Sequence, residues 1–431
     1  MSRISVPACV ILLGVFTTLL LSTAAWGTAT EVVLYNFCQT GGWYCTDGSM
    51  PNGELIFDAA GNLYGTTTSG GANGGGVVFE LSPSQDGWTE TVLYSFCAQA
   101  SCTDGELPEG ALIFDSLGNL YGTTSGGGLY EHGTVFELSP SQSGWTETVL
   151  YSFCPEGGTC GTGYFGYFDT TPLAGVVMDK AGNLFGPTYY DGIFELSPSG
   201  GGWTESRLYE VGWNDPAGVT LDAAGNVYGV AEQGGLQPNP GGYVFELSKS
   251  SGWSASILFG LPINAQGKYA DGYNVNSTPV FDQAGALYST TQYNGIQVNG
   301  GNLVGGTAFK LTPSRAGWKF KKLHTFNGKK KDGAQPLGPL AVDSSGNVYG
   351  TTYAGGTGAC QGLASYCGTV FKITRNGTAY TETVLWSFGG NNDGWHPTAG
   401  VILDKAGNLY GTAEYGGTST WSSGVVFKVI P

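Results

Sequence analysis

One eight-residue phrase, repeated seven times, constrains this chain more than any other feature. Asp-Ala-Ala-Gly-Asn-Leu-Tyr-Gly at 58–65 returns in variant form at 115–122, 179–186, 222–229, 282–289, 343–350 and 404–411, with Asp-to-Asp steps of 43 to 64 residues. A period of this size marks a chain built from one supersecondary unit whose length variation is absorbed in loops. Each unit holds four short apolar, β-favouring runs separated by turn residues. In the first unit these are 54–57, 62–67, 77–81 and 89–96, labelled A to D. The Asp-x-x-Gly-Asn element between A and B fits a hairpin turn, in which glycine takes positive φ and the aspartate binds nearby amides. Ser-Pro-Ser-x-x-Gly-Trp or a variant closes the C–D turn.

The ends of the chain complete the pattern. Residues 31–37, Glu-Val-Val-Leu-Tyr-Asn-Phe, match a D run, and 424–430, Gly-Val-Val-Phe-Lys-Val-Ile, match a C run, so the last unit lacks the strand that the first has in excess. The expected fold is all-β: a seven-bladed β-propeller of four antiparallel strands per blade, closed by pairing 31–37 with 424–430. Outside the N-terminal apolar run no window carries a helical period, so 30–431 is expected to form a single domain. Composition agrees. Glycine accounts for 74 of 431 residues and charged residues for only 12%, which suits many tight turns and few exposed helices.

Residues 1–29 have the layout of a secretory signal: Arg3, an apolar run over 6–21, then small residues. The run is short for a membrane anchor, so cleavage and export are expected, to the exterior or the periplasm, with no membrane span afterwards. Eight further cysteines fall in four local pairs, Cys38/Cys45, Cys97/Cys102, Cys154/Cys160 and Cys360/Cys367, which on an exported chain read as four disulfide loops. Their spacing and the three scattered histidines do not suit zinc, so neither a metal nor a cofactor is expected. With 33 acidic against 17 basic residues, a phosphate-tracking nucleic-acid binder is excluded.

The Asp-x-x-Gly-Asn-Leu-Tyr-Gly-Thr-Thr, Gly-x-Val-Phe-Glu-Leu and Val-Leu-Tyr-Ser-Phe blocks resemble the GloVer tandem repeat of exported bacterial proteins described as choice-of-anchor tandem repeat GloVer-containing proteins. The resemblance spans 31–430. It implies a secreted or surface repeat protein with a propeller-like repeat and no established activity. No C-terminal anchor is recognised, which favours free secretion. A looser similarity to NHL-type propellers implies that A is the innermost strand.

Function is expected where the blades differ, on the face that carries the B–C and D-to-A loops and all eight cysteines. Residues recurring from blade to blade are read as structural: Trp88, Trp145, Trp203, Trp253 and Trp318 after the C–D turn, and Asp47, Asp104, Asp332 and Asp393 in an Asp-Gly-x-x-Pro series that caps turns, with a cation-binding ring as the rival reading. His324 stands where other D strands carry Tyr, Phe or Trp, and is read as a packed aromatic substitute. The positions just past strand B vary, giving Tyr189, Tyr190, Glu232, Gln292, Tyr293, Tyr353, Glu414 and Tyr415; Trp213, Trp395 and His396 lie in D-to-A loops of the same face. Aromatic faces beside acids and amides suit sugars, whose C–H faces stack on rings while hydroxyls need paired acceptors and donors. A monomeric binding or interaction module is therefore expected, with a polysaccharide or cell-surface glycan as the leading partner and a protein as the second. A glycan-processing enzyme pairing Glu232 with Glu414, and a ligand-free scaffold, are the rivals. Eight of the 17 basic residues fall between 310 and 331, which reads as a charged outer strand that discourages edge pairing, with docking to an acidic polysaccharide or cell-surface polymer as the rival reading.

Overall fold

The computed structural model describes residues 29–39, 45–85, 87–154, 171–172, 174–189, 192–210, 217–232, 241–264, 269–294, 296–298, 302–328, 331–358, 367–389, 392–419 and 422–431. Residues 1–28 lie outside this set. Seven antiparallel sheets, each with an A-B-C-D order, form the blades of a seven-bladed propeller. Apart from two 3-10 turns, the described residues hold no helix, and none is long and apolar enough to cross a membrane. The latch is present: Thr30–Asn36 pairs antiparallel with Val425–Ile430, from Thr30 opposite Ile430 to Asn36 opposite Val425. It begins one residue earlier than expected, and Phe37 extends it by donating its amide to the Gly424 carbonyl.

Strand A is shorter than the apolar run suggests, only Ile56–Phe57 in blade 1. The residues before it turn towards the neighbouring blades around a central channel instead. A Cβ on Gly53 would lie 2.8 Å from the Gly110 carbonyl oxygen of blade 2, so this close approach requires glycine. Between A and B the aspartate acts as expected. Asp58 Oδ1 accepts the amides of Ala60 and Asn62, and Oδ2 accepts Asn62 Nδ2 and the Tyr64 hydroxyl. Where a donor is missing, a lysine substitutes: Phe185 replaces the tyrosine in blade 3 and Lys249 reaches Asp179, while Ala286 replaces the asparagine in blade 5 and Lys310 reaches Asp282. Lys310 is thus committed to a turn, and Lys322, farther along the basic run, pairs with Asp271 at 3.5 Å. Lys329 and Lys330 lie outside the described residues.

All seven C–D pairs shift register at one point, and the skipped residue is always leucine: Leu34, Leu93, Leu150, Leu208, Leu258, Leu323 or Leu385. A bulge at this point increases strand twist, which is what the outer edge of a blade needs. The tryptophans of the C–D turn pack across blade boundaries, Trp88 on Tyr410 and Trp318 on Tyr228.

Two further devices join the blades. Near the channel a strand-B threonine donates its hydroxyl to a backbone carbonyl of the next blade: Thr66 to Gly110, Thr123 to Ala174, Thr290 to Pro336, Thr351 to Ala399, and Thr412 to Gly53 across the ring closure. On the loop face a proline packs on the glycine that opens strand C of the preceding blade. Gly76, at φ +91°, would carry a Cβ 2.7 Å from Pro108 Cδ. Cys38–Cys45 and Cys97–Cys102 form disulfides, and Cys154 and Cys367 are disulfide-bonded. Cys160 and Cys360 lie outside the described residues.

Candidate functional site

The Asp-Gly loops run from the outer strand D, where Tyr35 meets Asp47, towards channel-lining residues such as Asn52. Asp47, Asp104, Asp332 and Asp393 each accept a loop amide, from Gln39, Ala98, Asn327 and Gly389 respectively, so the series caps turns. After the glycine the chain lies antiparallel to the residue just past strand B. This sets Ser49 against Ser69, Glu106 against Gly126, Tyr273 against Tyr293, Ala334 against Ala354 and Trp395 against Tyr415. The next residue is left-handed in all five blades, although none is glycine: Met50, Leu107, Asn274, Gln335 and His396 have φ between 55° and 66°. Its amide donates to the preceding blade, as Met50 does to Ser423 and His396 to Cys367. Its carbonyl accepts from the position past strand B, as His396 does from Glu414. Each unfavourable conformation is thus held by hydrogen bonds to two blades. Sequence reasoning named both Trp395 and Tyr415 but only the Tyr293 side of the blade 5 pair, missing Tyr273, because the partner lies in a different repeat block and only the bridge brings them together.

Two aromatic clusters result. At the boundary of blades 6 and 7, Tyr353 stacks on His396 at 4.0 Å and Trp395 lies 5.0 Å from Tyr415. His396 is buried, at 6% exposure, so it supports the cluster rather than presenting a ring, and burial holds its imidazole below the usual range. Trp395, Tyr353, Tyr415 and Glu414 are half-buried. In blade 5, Tyr273 packs between Tyr269 at 4.6 Å and Tyr293 at 6.2 Å, and Asn274 donates to Gln292 at 2.8 Å. Tyr190 and Trp213 lie outside the described residues.

Glu232 and Glu414 join different clusters. Glu232 acts electrostatically on Tyr273 and Tyr293, and Glu414 on Tyr353 and Tyr415. Glu232 and Tyr189 also line the channel, with Glu54, Glu109 and Asn276, around a volume of about 550 Å³. Burial pushes the Glu54 carboxyl up to about 7. Burial and then the charge of Glu414 raise Glu109, and burial raises Glu414 itself. The channel mouth therefore holds carboxyls raised above their ordinary range by burial, Glu54 to about 7, beside two aromatic clusters.

The model of the Gloeobacter/Verrucomicrobia repeat matches residues 18–192 and 215–431. No curated protein sequence matches. Among solved structures, the extracellular domain of BT4673 from B. thetaiotaomicron aligns with TM-score 0.52 at 11% identity, over 93% of this chain and 40% of that one. A PL25 ulvan lyase bound to -[GlcA(1-4)Rha3S]- aligns with TM-score 0.48 at 10% identity, over 93% of this chain and 95% of that one. At 11% identity the likeness to the BT4673 domain is one of fold.

Proposed function

We propose that this chain, which belongs to the Gloeobacter/Verrucomicrobia repeat family, is an exported glycan-binding propeller that takes its ligand on the loop face, at the boundary of blades 6 and 7. The Trp395–Tyr415 pair carries this reading. Two half-buried rings, fixed by a backbone bridge and backed by His396 and Tyr353, offer an apolar surface for the C–H face of a sugar. Glu414 lies beside Tyr415 and Glu109 within electrostatic reach, so carboxyl groups are available to the hydroxyls of a stacked ring. The disulfides fit a chain that works in an oxidising compartment.

The test is retention of residues 30–431 on a panel of polysaccharides at low and high salt. Salt-resistant binding is expected, weakened at least tenfold by Trp395→Ala or Tyr415→Ala. The bridge between these residues is backbone, so both variants should keep their melting temperature to within a few degrees. Absence of binding across the panel, or binding unaffected by either variant, overturns the reading.

A further inference from the structure

The outer rim repeats a three-residue arrangement at blade boundaries, and one copy differs in a way that changes its chemistry. Between blades 1 and 2, the Tyr94 hydroxyl of one D strand donates to Asp104 of the Asp-Gly loop at 2.8 Å, while Glu147 of the next D strand lies within electrostatic reach of the aspartate. Between blades 7 and 1 the same places hold Tyr35, Asp47 and Glu90, with the Tyr35 hydroxyl 2.9 Å from Asp47. Between blades 5 and 6 the phenol is replaced by an imidazole. His324 Nε2 lies 3.2 Å from Asp332 Oδ1, and Glu382 completes the set.

We infer that His324, Asp332 and Glu382 form a binding site for a divalent transition-metal ion, with zinc as the reference ion, that joins blade 5 to blade 6. One ligand atom from each residue lies within 4.8 Å of the others. Ligands on a tetrahedral zinc at about 2.0–2.1 Å stand roughly 3.3 Å apart, so the His324–Asp332 spacing already suits a shared ion and Glu382 needs only a small rotamer adjustment. The donors are one imidazole nitrogen and two carboxylates, a mixture that suits zinc better than calcium or magnesium.

Burial and orientation favour the same assignment. Asp332 is 7% exposed, and its other oxygen accepts the Asn327 amide, which fixes the carboxylate plane as an outer hydrogen bond does in a metal site. Glu382 Oε1 is shut off from solvent and accepts no hydrogen bond. Phe326 meets the imidazole edge-on at 4.8 Å and restrains its rotation. The corresponding glutamate oxygens of the Tyr-containing boundaries, on Glu90 and Glu147, are also without a donor, but there the third group is a phenol, which at neutral pH offers a proton rather than a metal-binding lone pair. The exchange of Tyr for His therefore separates a site from its structural sisters. Binding through Nε2 requires the tautomer whose single ring proton sits on Nδ1.

The sister boundaries also supply the control. His324→Tyr restores the residue found in blades 1 and 7, so it should fold and melt like the parent without metal. The full disulfide-intact protein, stripped with chelator, should take up one Zn2+ per chain in calorimetric titration in the presence of excess Mg2+, and its melting temperature should rise with Zn2+. With Co2+ the parent should develop visible d–d bands of low-symmetry coordination. In His324→Tyr both signals should vanish, and in Glu382→Gln the affinity should fall at least tenfold. No stoichiometric uptake by the parent overturns the site, as does uptake that persists unchanged in His324→Tyr.

Discussion

Blade 4 is attached to its neighbours differently from the blades across the ring. Between blades 7 and 1, Thr412 sends a hydroxyl to Gly53 near the channel, and Tyr35, Asp47 and Glu90 meet at the rim. At the two boundaries of blade 4 both devices are missing. Pro187 and Val230 stand in the threonine position, Ala255 and Phe320 stand in the glutamate position, and Phe259 stacks on Phe320 at 4.5 Å with the rings 9° apart. One fold therefore tolerates two ways of joining blades. A polar joint needs its donors matched to acceptors and gains direction; at blade 4 burial and shape take the place of these two devices, beside the Lys249–Asp179 pair between blades 3 and 4.

The largest expected effect comes from removing a polar joint and the outer strand of a blade together. Deletion of 30–36 leaves Val425–Ile430 without its partner and removes Tyr35 and Glu31. It should lower the melting temperature far more than deletion of seven residues from a rim loop, and split the calorimetric transition in two. An unchanged single transition would mean that closure contributes little.

A reciprocal exchange comes next. Val230→Thr introduces a hydroxyl where the valine is fully buried in an apolar cluster, and should cost about 2 kcal/mol. Thr412→Val removes the single 3.4 Å hydrogen bond to the Gly53 carbonyl, for about 1 kcal/mol. Chemical denaturation that ranks the two the other way round would show that Val230 has an acceptor within reach and that the two joints are interchangeable.

The smallest effect, spread over a wide pH range, separates the joints by charge. Burial, and then the charge of the loop aspartate, push Glu90 and Glu147 up to about 7 and Glu31 up to about 8, and burial holds Glu382 at about 7 against the opposing charge of His324. Carboxyls that stay protonated in the folded ring add stability in full below about pH 4.5, their ordinary value, and the addition fades as pH rises through 7 to 8. The turn aspartates Asp115, Asp343 and Asp404 act in the opposite sense: hydrogen bonds hold them below 3.8, and their contribution is lost under stronger acid. The melting temperature should peak between about pH 4.5 and 6 and decline towards pH 9, and Glu90→Gln with Glu147→Gln should flatten that decline. A melting temperature that climbs from pH 6 to 9 would contradict the assignment.

The blades were legible in the sequence because their signals are local. An aspartate that binds amides two and four residues on, a glycine at positive φ and an alternating apolar run all report within one repeat. The latch was legible because the two ends are fragments of one pattern. The joints were not, since Thr66 reaches Gly110 and Glu147 reaches Asp104 across blade boundaries, and a hydroxyl in a Thr-Thr pair does not announce which carbonyl it will meet. For the same reason the candidate residues at the mouth were found singly, while the pairing of Trp395 with Tyr415 and of Tyr273 with Tyr293 required the lateral bridge. His324 read as an aromatic stand-in for tyrosine, and it does pack as one on Phe326. That reading covered its shape and not its nitrogen.

The pairing of Thr30 with Ile430 also sets an order on events before the native state exists. The first strand to leave the ribosome or an export channel is the last to find its neighbour, and until the C-terminal strand arrives it presents an open edge of unpaired amides and carbonyls. Contacts at such sequence separation form late and slowly. Two chains held at this stage at high concentration can exchange their first strands, each finishing the other's seventh blade with native bonds, so crowding during synthesis favours dimers that a folded monomer would not form.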